Sequence, residues 1–163
     1  MLALVSGCEM LKNKLHHGPV AQLRIHIESN AKAPGSTQTV SVIRSQPVLV
    51  NISNEPIMTE ANIAGARLVD TRGGFLLALK FDELGTWALE QYSAVNPGKH
   101  LVVFGHWGDK PEDGRWLAAP QIPGRVATGE LTFTPDASRE EMEQFVKGLN
   151  ADAQENSAIR SKQ

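Results

Sequence analysis

Apolar and polar positions follow two periods along this chain, and the switches between them mark out its elements. Val20 to Ile27 (VAQLRIHI) has Val20, Leu23, Ile25 and Ile27 as apolar positions, and its later part alternates as a strand with one buried face does. Asn30 to Gln38 is a polar loop marked by Pro34 and Gly35. Val40 to Arg44 and Val48 to Ile52 are β-branched runs on either side of Pro47, so they read as strands meeting at a bend or edge. Thr59 to Asn62, after Pro56, offers an N-cap and a short helical turn. Ile63 to Asp70 and Phe75 to Phe81 flank Thr71-Arg72-Gly73-Gly74, a hairpin signal.

The period then lengthens. Asp82 is placed to cap a helix, with Leu84, Trp87, Ala88, Tyr92 and Val95 forming an apolar stripe at helical spacing. Asn96-Pro97-Gly98 ends it. Leu101 to Phe104 reads as a central strand, and Trp116 to Ala118 and Arg125 to Phe133 as further strands. Thr134-Pro135 is expected to open a last helix with Met142, Phe145, Val146 and Leu149 facing inward. Beyond Asn150 no stripe continues, and residues 151–163 are expected to be a disordered tail. Strands outnumber helices and the helices fall between groups of strands. The expected class is α+β, a mainly antiparallel sheet with two main helices packed on one face.

Composition narrows this picture without changing it. The chain has 163 residues, 41% of them hydrophobic and 21% charged, with formal net charge -2. That suits one domain with tails, burying roughly 70% of its unfolded surface. Acids and bases are mixed and form no basic stripe, so nucleic acid is not an expected partner. No apolar run reaches the ~20 residues that cross a bilayer.

The single cysteine changes the picture more. Met1 to Cys8 (MLALVSGC) is apolar, then small, then Cys, and resembles the lipobox of bacterial lipoproteins, whose Cys receives diacylglycerol and becomes the mature N-terminus. The basic start of a signal peptide is absent and the apolar stretch is short, so Met1 is expected to lie inside the true signal. On this reading residues 1–8 are the end of a signal and 9–19 (EMLKNKLHHGP) are a polar tether. Residues 20–150 are the domain, and the membrane surface is a partner through the lipid on Cys8. The resemblance implies several acyl chains, palmitate among them. Glu9 in place of Asp after the Cys points, by Gram-negative sorting rules, to the outer membrane.

A second resemblance covers most of the domain, from about Val40 to Leu149. It rests on an order of short motifs: Pro56 to Ile63, Gly74 to Gly85, Asn96-Pro97-Gly98-Lys99-His100-Leu101-Val102-Val103, Ala119-Pro120-Gln121-Ile122, Gly129-Glu130-Leu131 and Phe133 to Ala137. This order resembles the head subdomain of the first periplasmic domain of SecD, the auxiliary subunit of bacterial protein export. The chain departs from that family in having no transmembrane run, and in a longer loop at Gly105 to Arg115. The resemblance implies the fold and a periplasm-facing place in the bacterial envelope; it does not carry over export activity.

Little in the sequence suggests chemistry. Of five histidines, His16 and His17 lie in the tether, and His26 points outward if Ile25 and Ile27 point in. His100 and His106 stand near Asp109, Glu112 and Asp113, but without a metal-ligand spacing; no metal and no cofactor are expected. No Ser or Cys has a nucleophile context, and Glu140-Glu141 suits a helix N-terminus, so an enzyme is not expected. Two tryptophans, Trp107 and Trp116, bracket an acidic loop. Burial tendencies favour a core role for both, yet this loop is the sequence's one candidate binding surface, made of Trp107, Trp116 and His106. The expected function is therefore a non-catalytic envelope lipoprotein that binds an exported polypeptide or envelope protein through a sheet edge or this loop. The alternative is a small-ligand binder.

Overall fold

The computed structural model describes residues 21–30 and 35–162. The expected signal and tether, with Cys8, His16 and His17, lie outside the described residues. Among the described residues, nine strands and two α-helices follow one another as β1 (Gln22–Ile27), β2 (Thr37–Val42), β3 (Val48–Ser53), β4 (Met58–Thr59), β5 (Ile63–Thr71), β6 (Gly74–Phe81), α1 (Glu83–Val95), β7 (Leu101–His106), β8 (Gly114–Ala118), β9 (Glu130–Phe133) and α2 (Arg139–Arg160). The class is α+β and every strand pairing is antiparallel. The expected single sheet is instead three, ordered β4-β1-β7-β8, β2-β3 and β5-β6-β9.

The reason for three sheets is legible in β1 and β7. Leu23 and Ile25 of β1 face the main core, opposite Gly105 and Val103 of β7. The alternate positions are apolar or buried too: His26 is opposite Val102, and both are buried. A sheet apolar on both faces needs two covers. The β2–β3 ribbon is the second cover, placing Val40, Val42, Val50 and Ile52 against Val102, with Trp116 and Ala119 packed beside them. Its turn forces Ile43 to φ 65°, a left-handed conformation that β-branched residues resist. Arg44 pins that turn, its backbone N–H and Nε both donating to Asp136 Oδ2 at 2.9 and 3.0 Å.

The main core joins the other face of the first sheet to Leu77, Leu79, Phe81 and Phe133 of the third sheet. Both helices feed it, α2 through Met142, Phe145, Leu149 and Ala153, and α1 through Leu89. Packing is close where β7 passes under α2. A Cβ on Gly105 would stand 2.6 Å from Leu117 Cδ1 and 3.0 Å from Phe145 Cζ, so only glycine fits there.

Three boundaries differ from expectation. The last strand begins at Glu130, because Gly129 adopts φ 69° and the preceding residues run beside α1, where Val126 N–H donates to Ser93 Oγ at 2.8 Å. Helix α2 starts after Ser138, not at Thr134-Pro135; Ser138 and Glu141 form a reciprocal capping box. Finally, α2 runs on to Arg160 where a disordered tail was expected. Ala153 is small but buried, and Arg160 donates from Nη1 to Asp82 Oδ2 at 2.7 Å and from Nη2 to the Ala61 carbonyl at 3.4 Å, so the last turns are tied to the domain through these two residues.

Candidate functional site

The Trp107–Trp116 loop is built inward. Trp107 is only 4% exposed and belongs to the main core, edge-on to Phe145 at 6.3 Å, with the Arg115 guanidinium 4.9 Å above its ring. Arg115 is in turn held by Glu141 of α2, Nη2 to Oε1 at 2.6 Å. Trp116 points to the opposite face of β8 and stacks edge-on with His26 and Phe104 at 5.4 and 5.3 Å. The two rings therefore belong to different cores and cannot form one surface. His106 is tied within the loop, its Nε2 donating to the Lys110 carbonyl at 2.9 Å while Gly114 packs on its ring. The structure thus removes Trp107 from the candidate binding surface and leaves Trp116 and His106 as packing and loop-closing groups.

The other histidines among the described residues, His26 and His100, are equally committed. His26 does leave the main core, as its alternation implied, but it enters the second one. It is 4% exposed, and its Nδ1 donates to the Ser53 carbonyl at 2.8 Å. Burial lowers its pKa below 6.5, the Ser53 bond opposes this, and Arg24 adds to the lowering. His100 pairs with Glu28, Nδ1 to Oε2 at 2.7 Å, and its backbone N–H donates to the same oxygen at 2.9 Å. Burial pushes the Glu28 carboxyl up, but the His100 bonds outweigh it and the net direction is down. No group of three His, Cys, Asp or Glu side chains gathers to hold a metal ion among the described residues. A cavity of about 200 Å³ lies between α2 and the start of β5, lined in part by Asp82 and Arg160, which are bonded to each other. That is below the roughly 300 Å³ at which small-ligand pockets begin.

What the sequence pattern concealed is the orientation of α1. An apolar stripe ordinarily faces a core, yet Leu84, Trp87, Tyr92 and Val95 are 65%, 63%, 39% and 75% exposed. The face that packs on the core is Gly85, Leu89 and Ser93, one residue per turn. Gly85 makes this possible: a Cβ there would stand 3.0 Å from Asn62 and from Phe81 Cβ, so the helix comes down closely on its small side. Thr86, Glu90 and Ser93 meet the 125–129 segment, Glu90 pairing with Arg125. The solvent side of a helix is ordinarily polar. Here, apart from Glu83 at its start, it carries Leu84, Trp87, Gln91, Ala94 and Val95, with Tyr92 at its margin, while Ala88 of the same stripe packs against the main core. The one advance signal was the Gly85–Leu89–Ser93 spacing, a close-packing face in competition with a larger apolar one.

Both edges of the third sheet are less inviting. Asn150 of α2 bonds both backbone groups of Ala66 on β5, accepting from its N–H at 2.8 Å and donating to its carbonyl at 3.0 Å. The edge strand β9 has only 4 residues.

With this architecture in view, the chain matches solved structures of SecDF. SecDF in its super-membrane-facing form superposes with TM-score 0.58 at 22% identity, over 82% of this chain and 19% of that one. SecDF described as a membrane component that enhances protein export gives TM-score 0.57 at 22% identity, over 82% of this chain and 64% of that one. The domain is SecD-like. At this identity the likeness is one of fold, and the chain spans about a fifth of the first structure's length. No family model matches the chain, and no curated protein matches it. No helix among the described residues of the SecD-like domain is long and apolar enough to cross a membrane.

Proposed function

We propose that this chain is a non-catalytic interaction module of the bacterial envelope, held at a membrane by a lipid on Cys8, whose SecD-like domain binds a polypeptide partner in connection with protein export. The observation that carries the binding role is the outward apolar face of α1. Exposed contiguous apolar surface on a folded domain marks an interaction site. The envelope setting draws support from the SecD-like fold, and the lipid from the apolar-small-Cys run ending at Cys8.

The test of the setting is to express the natural gene in a bacterium, fractionate the cells and weigh the native N-terminus. Acylated Cys8 in the membrane fraction, moving to the soluble fraction in Cys8→Ala, is the expected result. An unmodified chain in the cytoplasm would overturn it.

A further inference from the structure

From the shape and charge of α1 we infer that its outward face takes an apolar helix of another polypeptide, one carrying a basic residue beside the apolar run. The inference deepens the proposed binding role and rests on it.

Four features choose this occupant over others. The first is area. Scaled from ordinary side-chain areas, the exposed parts of Leu84, Trp87, Tyr92 and Val95 amount to roughly 500 Å². A stable dimer needs about 800 Å² from each partner, so this face alone is too small for a second copy and suits one helical segment. The second is shape. A helix face is convex, and the surface that packs on it best is another helix, side-chain ridges into grooves. Two of the edges that could capture an extended strand are closed to it, β5 by Asn150 and β9 by its length of only 4 residues.

The third feature is charge. Helix α1 (ELGTWALEQYSAV) contains two Glu and no Lys or Arg, whereas helices that lie on anionic membranes are rich in basic residues. Glu90 is already paired with Arg125, while exposed Glu83, at the head of the stripe, makes no ion pair among the described residues. A basic residue next to the docked apolar run would find its counter-charge there. The fourth is composition. Trp and Tyr, present here at successive turns, are the side chains that most often dominate polypeptide recognition.

The experiment titrates the full chain with a synthetic Leu/Ala helix bearing two Lys at one end, read by calorimetry, beside sedimentation of the protein alone and flotation with vesicles containing phosphatidylglycerol. The structure predicts one-to-one peptide binding, weakened about tenfold or more in Trp87→Ser and in Val95→Ser. Glu83→Gln should weaken the Lys-tipped peptide and leave a Lys-free one unchanged. Leu49→Ser, which alters an exposed apolar residue of the β2–β3 ribbon, should leave binding intact. Because all four side chains are exposed or at the surface, these variants should melt as the parent does. Peptide binding that survives Trp87→Ser would overturn the assignment to α1 while leaving the interaction-module reading standing. A dimer or vesicle binding lost in Trp87→Ser would overturn the choice of occupant. Failure to bind this helix together with binding of an unfolded polypeptide elsewhere would sink the inference alone, and failure to bind either would sink both.

Discussion

His26 shows how a single side chain ties pH to stability in this domain. Its imidazole is buried against Trp116 and donates to the Ser53 carbonyl, and burial holds its pKa below 6.5. The unfolded chain therefore takes up a proton more readily than the folded one. The contribution is fully present above about pH 6.5 and is lost as pH falls through the folded value. The carboxyls of Glu28 and Asp136, both shifted down by hydrogen-bonding partners, act in the same direction, but only below about pH 4.5. Urea midpoints should therefore fall between pH 7 and pH 5, and His26→Gln should flatten that slope. An unchanged slope in the variant would remove His26 from the explanation. Gly105 makes a second residue-scale test. Gly105→Ala should cost about 1–3 kcal/mol, read as a lower melting temperature, because the new methyl group meets Leu117 and Phe145 in a filled core. Alternation along β1 correctly placed Ile25 in the main core and His26 away from it. It could not reveal that a ribbon distant in sequence would bury His26 as well.

Among the elements, the two helices record where pattern reading succeeds and where it fails. Helix α1 was legible in extent, from the Asp82 cap to the Asn96-Pro97-Gly98 stop, because caps and stops are local chemistry. Its orientation was not, since a stripe of large apolar residues looks the same whether it meets the protein's own core or a partner's. For α2 the inward stripe was legible and its length was not, because the last turns depend on Ala153 and on the distant Asp82 rather than on an apolar repeat. Ala153→Glu should therefore lower stability by roughly 1–3 kcal/mol in thermal melts, through a charge forced into a buried site. A disordered tail would tolerate that change without loss. Asn150→Ala should cost a similar amount, about 1–3 kcal/mol, because both Ala66 backbone groups lose their partner. It should also leave the β5 edge open to pairing, visible as faster hydrogen exchange at Ala66 and as a greater tendency to aggregate.

At the scale of the molecule, a SecD-like core supports one unusual outer face. The order of short motifs from Pro56 to Ala137 was enough, through its resemblance to the SecD head, to anticipate the fold. The burial of Trp107 agrees with the core role that burial tendencies favoured, but the exposure of Trp87 was not legible for a physical reason: tryptophans serve cores and interfaces equally well, and only the three-dimensional packing separates Trp107 from Trp87. The account stands or falls on where polypeptides meet this domain in the cell. A photoreactive amino acid placed at position 87, at 95 or, for comparison, at 109 in the acidic loop would show it directly, with the adducts read by mass spectrometry. The account predicts adducts from positions 87 and 95 that map to apolar segments of other envelope or exported polypeptides, and none above background from 109. Adducts from position 109 alone, or from 87 only to the chain's own residues 1–20, would contradict it.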